Sequence, residues 1–391
     1  MNKTNLGLLL LLCSLNTPLW AEPYRPTLAT EVLEQLPLQG KHWLAIQALR
    51  QAVASQPQDL QPVLALVKAY IALGRSEADP RFYGYAEAAL APWLAQVPAH
   101  AEVLTLQATL YQNRHEFSAA LKLLALALRQ QPRLAQAWLT QAQIQEVQGD
   151  YTAALHSCKP LLRLAVPLEA AVCVHANLSL TGQLPAAYQQ LQFIAQHHVD
   201  GDAAEQQWLW VTLAEMAERL GDNGNAERYY QTAFGLAERN GYLLATYADF
   251  LLDQQRYSEV EKLLQQETRH DGLLLRLTIA EQQLQRATLA EHINTLQLRF
   301  SASHLRGDTR HQAEEARFNL QLLHQTDAAL SLAESNWQLQ REPRDARIFL
   351  EAAMAKGDYQ RAQPVIEFIQ RHQLQDQRLA ALLSQCQGLT L

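Results

Sequence analysis

An all-α chain built from stacked helix pairs is what this sequence predicts, on three observations. The first is an internal repeat. AEVLTLQATLYQNRHEFSAALKLLALALRQQPRL (101–134) is followed at once by AQAWLTQAQIQEVQGDYTAALHSCKPLLRLAVPL (135–168). Leu104 falls on Trp138, Ala108 on Ala142, Ala120 on Ala154 and Leu124 on Cys158, each 34 residues on. The second is spacing. Leu104, Gln107, Ala108 and Tyr111, then Ala120, Leu124 and Ala127, recur every three or four residues, which puts each set on one helical face. The third is composition: 15 glycines and 15 prolines in 391 residues, with alternating β-branched patterns scarce.

Within one unit the residues explain the pairing. Ala108 and Ala120 are small enough for two backbones to approach, and Leu104, Tyr111 and Leu124 fill the space beside them. Pro132 closes the second helix, because proline cannot continue one. Gly149-Asp150 supplies the turn in the second copy. This order of large, small, aromatic, turn glycine, small, small and proline at a period of 34 resembles the tetratricopeptide repeat family. The resemblance implies a right-handed superhelix, an α-solenoid of eight to ten helix pairs, that grips a protein partner and has no catalytic role.

From the start of the chain, Met1–Ala21 has Lys3, an apolar run from Leu6 to Leu15 and a small residue at Ala21, the layout of a secretory signal peptide. Its apolar core is short of the roughly 20 residues that span a bilayer. The expected location is therefore the periplasm of a Gram-negative bacterium. Residues 22–60 read as a degenerate first repeat acting as a cap, with Ala45, Leu49 and Ala52 ahead of Pro57. Residues 61–274 form the main array. Its first unit carries an insertion near 75–82, where Asp79, Arg81, Phe82, Tyr83 and Tyr85 gather. Aromatics beside an arginine are enriched where interfaces carry energy. The loop therefore either docks a partner or folds its rings back over the edge of the first helices.

Farther on, Trp210, Ala214, Gly221, Ala226, Tyr230 and Ala233 fall on pattern. Residues 275–308 are helical without a clear phase. Units return over 309–376, with Phe318, Leu322, Ala329 and Trp337, then Phe349, Gly357, Tyr359 and Ala362. Residues 377–391 form a final covering helix and tail.

In proteins of this family the first helices line a concave groove. Carried over, that face offers Thr109, Gln112, Asn113, Gln143 and Glu146, then Glu215, Glu218, Asp249 and Asp253. It is a polar trough that turns acidic toward its middle, suited to a basic or polar segment. The lysine clamp with which some members hold C-terminal carboxylates is missing. A solvated helix face is the other reading of the stripe.

The formal charge of −7 argues against a nucleic-acid partner, and no lysine-rich block suggests an anionic membrane. No phosphate loop, dinucleotide fingerprint, HExxH or paired CxxC occurs, so neither cofactor nor metal is expected. With the signal removed, Cys158, Cys173 and Cys386 remain. Cys158 lies on the second helix of one unit and Cys173 on the first helix of the next. The two run antiparallel about a connection near 166, so an oxidising compartment would permit a bridge. An enzyme on α/α pairs, or a polysaccharide-acting or secretion-associated protein, is the other class. As an enzyme it would need a pocket of facing carboxylates and aromatics.

Overall fold

The computed structural model describes residues 41–76, 79–164, 167–197, 201–236, 240–308 and 311–389. The signal peptide, the lead-in and the first helix of the N-terminal cap lie outside them. The chain divides into Met1–Leu44 and Ala45–Leu391. Of the first unit, the described residues are only the opening turn of α1 (Lys41–Ser55).

The second unit is a run of antiparallel helix pairs. They are α2 (Leu60–Ser76) with α3 (Arg81–Leu94), α4 (Ala101–Asn113) with α5 (Phe117–Gln130), and α6 (Ala135–Val147) with α7 (Tyr151–Cys158). Next come α8 (Pro167–Ser179) with α9 (Leu184–His197), α10 (Ala203–Leu220) with α11 (Asn223–Leu236), and α12 (Gly241–Asp253) with α13 (Tyr257–Leu264). The last are α14 (Asp271–Leu284) with α15 (Leu289–Leu305), α16 (Gln312–Gln321) with α17 (Thr326–Trp337), and α18 (Pro343–Lys356) with α19 (Gln363–His372). Helix α20 (Gln377–Leu389) ends the series. No strand occurs among the described residues.

Each helix packs on its pair mate, and first helices stack on the first helices of the next pair, so every pair covers its neighbour's apolar face. The small residues read from the repeat sit where backbones cross. Ala108, Ala120, Ala154, Ala214, Ala226 and Ala248 have no exposed surface. The turn inside each pair from α4 onward holds one left-handed residue: His115, Gly149, Gly182, Gly221, Gln255, Gln285, His324 and Gly357. That conformation reverses the chain tightly and is cheapest for glycine.

Two boundaries differ from the sequence reading. The insertion near 75–82 is taken into helix at both ends: α2 runs on to Ser76 and α3 begins at Arg81. Its rings fold back. Phe82 and Tyr85 meet Tyr70, with ring centres 6.3 and 5.7 Å away, and Tyr83 lies against Gly74 so closely that a Cβ there would sit 2.8 Å from the ring. Asp79 accepts from Arg81. The supposed irregular stretch 275–308 is a full pair starting earlier, at Asp271. From Gly272 to Glu281 every residue of α14 is buried.

Cys158 and Cys173 are joined by a disulfide that ties α7 to α8, with Cα atoms 5.7 Å apart.

Candidate functional site

The acidic residues read as a groove do come together. Glu215 and Glu218 on α10 and Asp249 and Asp253 on α12 lie on the inner, first-helix wall. What faces them is the chain itself. Arg317 on α16 and Arg276 on α14 both donate to Asp249. Arg347 on α18 donates to Asp253 at 2.7 Å. Arg378, at the start of α20, donates to Glu218 at 2.8 Å and approaches Asp253 at 3.4 Å. Arg344 of α18 stands 5.6 Å from the centre of the Tyr242 ring, and the Tyr242 hydroxyl donates to Glu215. The open trough expected from the sequence is thus bridged by arginines of the C-terminal helices.

The surroundings set each carboxyl apart. Burial alone would raise Asp249, but the Arg276 and Arg317 guanidiniums overcome it and hold it well below the usual carboxylate range. Glu218 has one arginine and the Tyr230 hydroxyl, and there burial wins, pushing it up to about 8. Glu146, on α6, is also pushed up to about 8 by burial, with Glu342 and Glu215 adding like charge. It accepts from the Asn177 amide at 2.6 Å. Burial raises Glu215 too, opposed by Tyr242 and Arg344.

The remaining wall residues play a different part. The Thr109 hydroxyl turns back onto the Thr105 carbonyl at 3.1 Å and is buried within α4. Gln112, Asn113 and Gln143 are half-buried along α4 and α6.

The closure is made by backbone as well as charge. The Arg341 amide donates to the Val147 carbonyl at 2.7 Å, and the Leu184 amide donates to the Gln375 side chain at 2.9 Å. Three successive turn glycines lie against the C-terminal helices. A Cβ on Gly149 would meet the Phe368 ring at 2.7 Å, one on Gly182 the Gln373 side chain at 2.6 Å, and one on Gly221 the Gln377 amide at 2.0 Å. Beside this seam a cavity of about 290 Å³ is lined by Glu218, Gly221, Phe250, Asp253, Arg347 and Arg378.

Chemically, the wall's carboxylates are committed. Glu218, Asp249 and Asp253 face guanidinium groups, Glu215 faces a phenol and Glu146 an amide. Among the described residues, no group of three or more histidine, cysteine or acidic side chains is placed to hold a metal, and no helix is long and apolar enough to cross a membrane. The arginines were missed by a reading that took the wall one helix at a time. Their signal was the sign of charge on the first helices, acidic on α10 and α12 and basic at Arg317, Arg344 and Arg347 on α16 and α18.

No family model matches the chain, and no curated protein matches it. Among solved structures it is similar to a tetratricopeptide repeat protein from Parabacteroides merdae at 11% identity and a TM-score of 0.37, over 79% of this chain and 99% of that one. It is similar to a chain of the APC/C hetero-tetramer Cut9-Hcn1 at 11% identity and a TM-score of 0.30, over 89% of this chain and 96% of that one. It is similar to a chain of Naa15/Naa10 bound to HypK-THB at 13% and 0.27, over 89% of this chain and 63% of that one. At such values the architecture rests on the helix pairs themselves.

Proposed function

We propose that this chain is an exported, non-catalytic scaffold of the cell envelope that holds a protein partner. One observation carries the reading: a continuous array of helix pairs, each covering its neighbour's apolar face, with the inner-wall residues Asp249 and Asp253 paired to Arg276, Arg317 and Arg347 of the same array. Arrays of this kind present long surfaces at little cost in packing, since each pair needs only its neighbours. The leader at Met1–Ala21 and a cross-link between Cys158 and Cys173 both suit an oxidising compartment.

The test has two arms. Expressed with its leader in a Gram-negative host, the protein should fractionate with the periplasm and begin at Glu22 by mass. Retention in the cytoplasm at full mass would overturn export. The mature chain, used as bait on envelope extract, should return one polypeptide reproducibly, and that polypeptide as bait should return this chain. Repeated failure of the reciprocal capture would leave a spacer rather than a scaffold.

A further inference from the structure

We infer that the space between α9 and α11, floored by α10, is a docking site for an aromatic side chain that a protein partner presents next to a carboxylate. The inference rests on the scaffold reading and names the chemistry of what is held, at a place apart from the acidic inner wall.

A cavity of about 300 Å³ lies there. Ala195 of α9, Trp210 and Leu213 of α10, and Arg228 and Tyr229 of α11 line it, and no carboxylate does. The Trp210 and Tyr229 rings stand with centres 5.5 Å apart, 31° from parallel. The Gln192 amide donates to the Tyr229 hydroxyl at 2.8 Å, so α9 and α10 together fix the aromatic side of the space.

The array itself shows what such a space holds. One pair farther on, α11, α12 and α13 bound the corresponding one. Helices α9 and α11 are each 14 residues long, and their twelfth residues are Ala195 and Phe234. Leu213 precedes the small Ala214 just as Tyr247 precedes Ala248, 34 residues on. In the later space the Phe234 and Tyr247 rings meet edge to face, with centres 5.4 Å apart. Arg256, at the head of α13, donates across it to Glu227 of α11 at 2.7 Å. An aromatic pair fills that space and an ion pair closes it.

The earlier space has an alanine and a leucine at the two aromatic positions, and that difference leaves the cavity. The arginine at its exposed rim, Arg228, lies 5.3 Å from the centre of the Tyr229 ring and has no ion-pair partner among the described residues. Relative to the next pair, one ring and one carboxylate are missing. A partner segment with phenylalanine or tyrosine beside glutamate or aspartate supplies both. Its ring stacks on Trp210, and its carboxylate takes the N–H edge of a guanidinium whose face is already held by Tyr229.

The experiment uses the full mature chain and, as probe, a capped glutamate–phenylalanine–glutamate tripeptide whose ring protons are followed by NMR. The wild-type chain should bind it, and raising salt should weaken the binding. Ala195→Phe gives α9 the residue that α11 carries and fills the cavity from within, so it should bind at least tenfold more weakly. Arg228→Glu should lose this probe and prefer the lysine–phenylalanine–lysine tripeptide. No binding by the wild-type chain, equal binding by Ala195→Phe, or an unchanged preference in Arg228→Glu would each overturn the site. Equal binding of a glutamate–alanine–glutamate tripeptide would overturn the aromatic seat. Galacturonate bound more tightly than the probe would overturn the choice of a protein partner. Should Ala195→Phe fail to fold, Arg228→Glu, changed at an exposed position, decides. The probe needs no envelope extract, so its failure and failure of the reciprocal capture are read separately.

Discussion

Two stretches of the same wall share a register and little else. On α4 the wall residues turn inward on their own helix: the Thr105 hydroxyl bonds the Ala101 carbonyl at 2.8 Å, and Thr109 bonds Thr105. On α10 and α12 the wall residues reach across to helices more than 60 positions away in sequence, with Arg317 on Asp249 and Arg347 on Asp253. Repeat position decides which face a side chain occupies. What stands opposite is decided by how the array curls, and only the second stretch meets the chain's own C-terminal half.

The sharpest way to break this contrast is to remove one carboxylate. Asp249→Ala strands Arg276, whose side chain is 7% exposed, together with Arg317. Breaking a buried pair from one side costs about 3–5 kcal/mol, because the remaining charge stays desolvated. Thr109→Ala, on the other stretch, should cost under about 1 kcal/mol. Hydrogen exchange at α12 and α4 is the better readout, since long repeat arrays need not unfold in one step. Equal losses at the two sites would show that the arginine bridge adds nothing.

A second contrast lies among the turn glycines. Gly149, Gly221 and Gly357 have φ of 77, 78 and 73°, so alanine pays the same left-handed penalty of about 1–2 kcal/mol at each. A Cβ on Gly357 meets nothing, one on Gly221 meets the movable end of Gln377, and one on Gly149 meets the buried ring of Phe368. Gly149→Ala should therefore be the most damaging by at least about 1 kcal/mol, with Gly221→Ala close to Gly357→Ala. Melting midpoints of the three variants test the order, and an equal shift in all three would remove the steric part of the C-terminal contact.

How much of this could be read beforehand differs along the chain. The pairs around Ala108, Ala142 and Ala214 announce themselves because small residues recur at fixed repeat positions. Helix α14 hides because its LLLRLTIA run lacks the spaced small residues of the repeat, and its turn uses Gln285 where four other pairs use glycine. The acidic wall was legible because each carboxylate stands at a repeat position. The arginines opposite were not, because their pairing spans gaps such as Glu218 to Arg378 that no local period encodes.

Acid and base separate the two kinds of carboxyl on the closed wall. Glu218 has an ordinary value of 4.5 and is pushed up to about 8 by burial. Between those values the folded chain keeps a proton the unfolded chain has released, so this group's contribution to stability falls as pH rises from about 4.5 to about 8. Asp249 runs the other way. Its folded value lies below 3.8, so its contribution is present above that pH and is lost as pH falls through the folded value. Glu218→Gln should flatten the decline toward pH 8 in melting curves, and an unchanged slope would place that decline elsewhere, Glu146 being the other carboxyl raised to about 8.

The smallest effect concerns the turns that lack glycine. Gln255, Gln285 and His324 hold φ of 57, 53 and 55°, a region that costs an L-residue about 1–2 kcal/mol while glycine enters it freely. Against this stands the extra freedom glycine gives the unfolded chain, about 0.5–1 kcal/mol. The balance favours each glycine substitution by about 0.5–1 kcal/mol, read as a raised melting midpoint. The left-handed residue sits one to three positions past the first helix of its pair and makes the same reversal at each, so the gain should appear at all three positions. A loss at Gln285 alone would mean that its side chain, and not its backbone, holds the turn between α14 and α15.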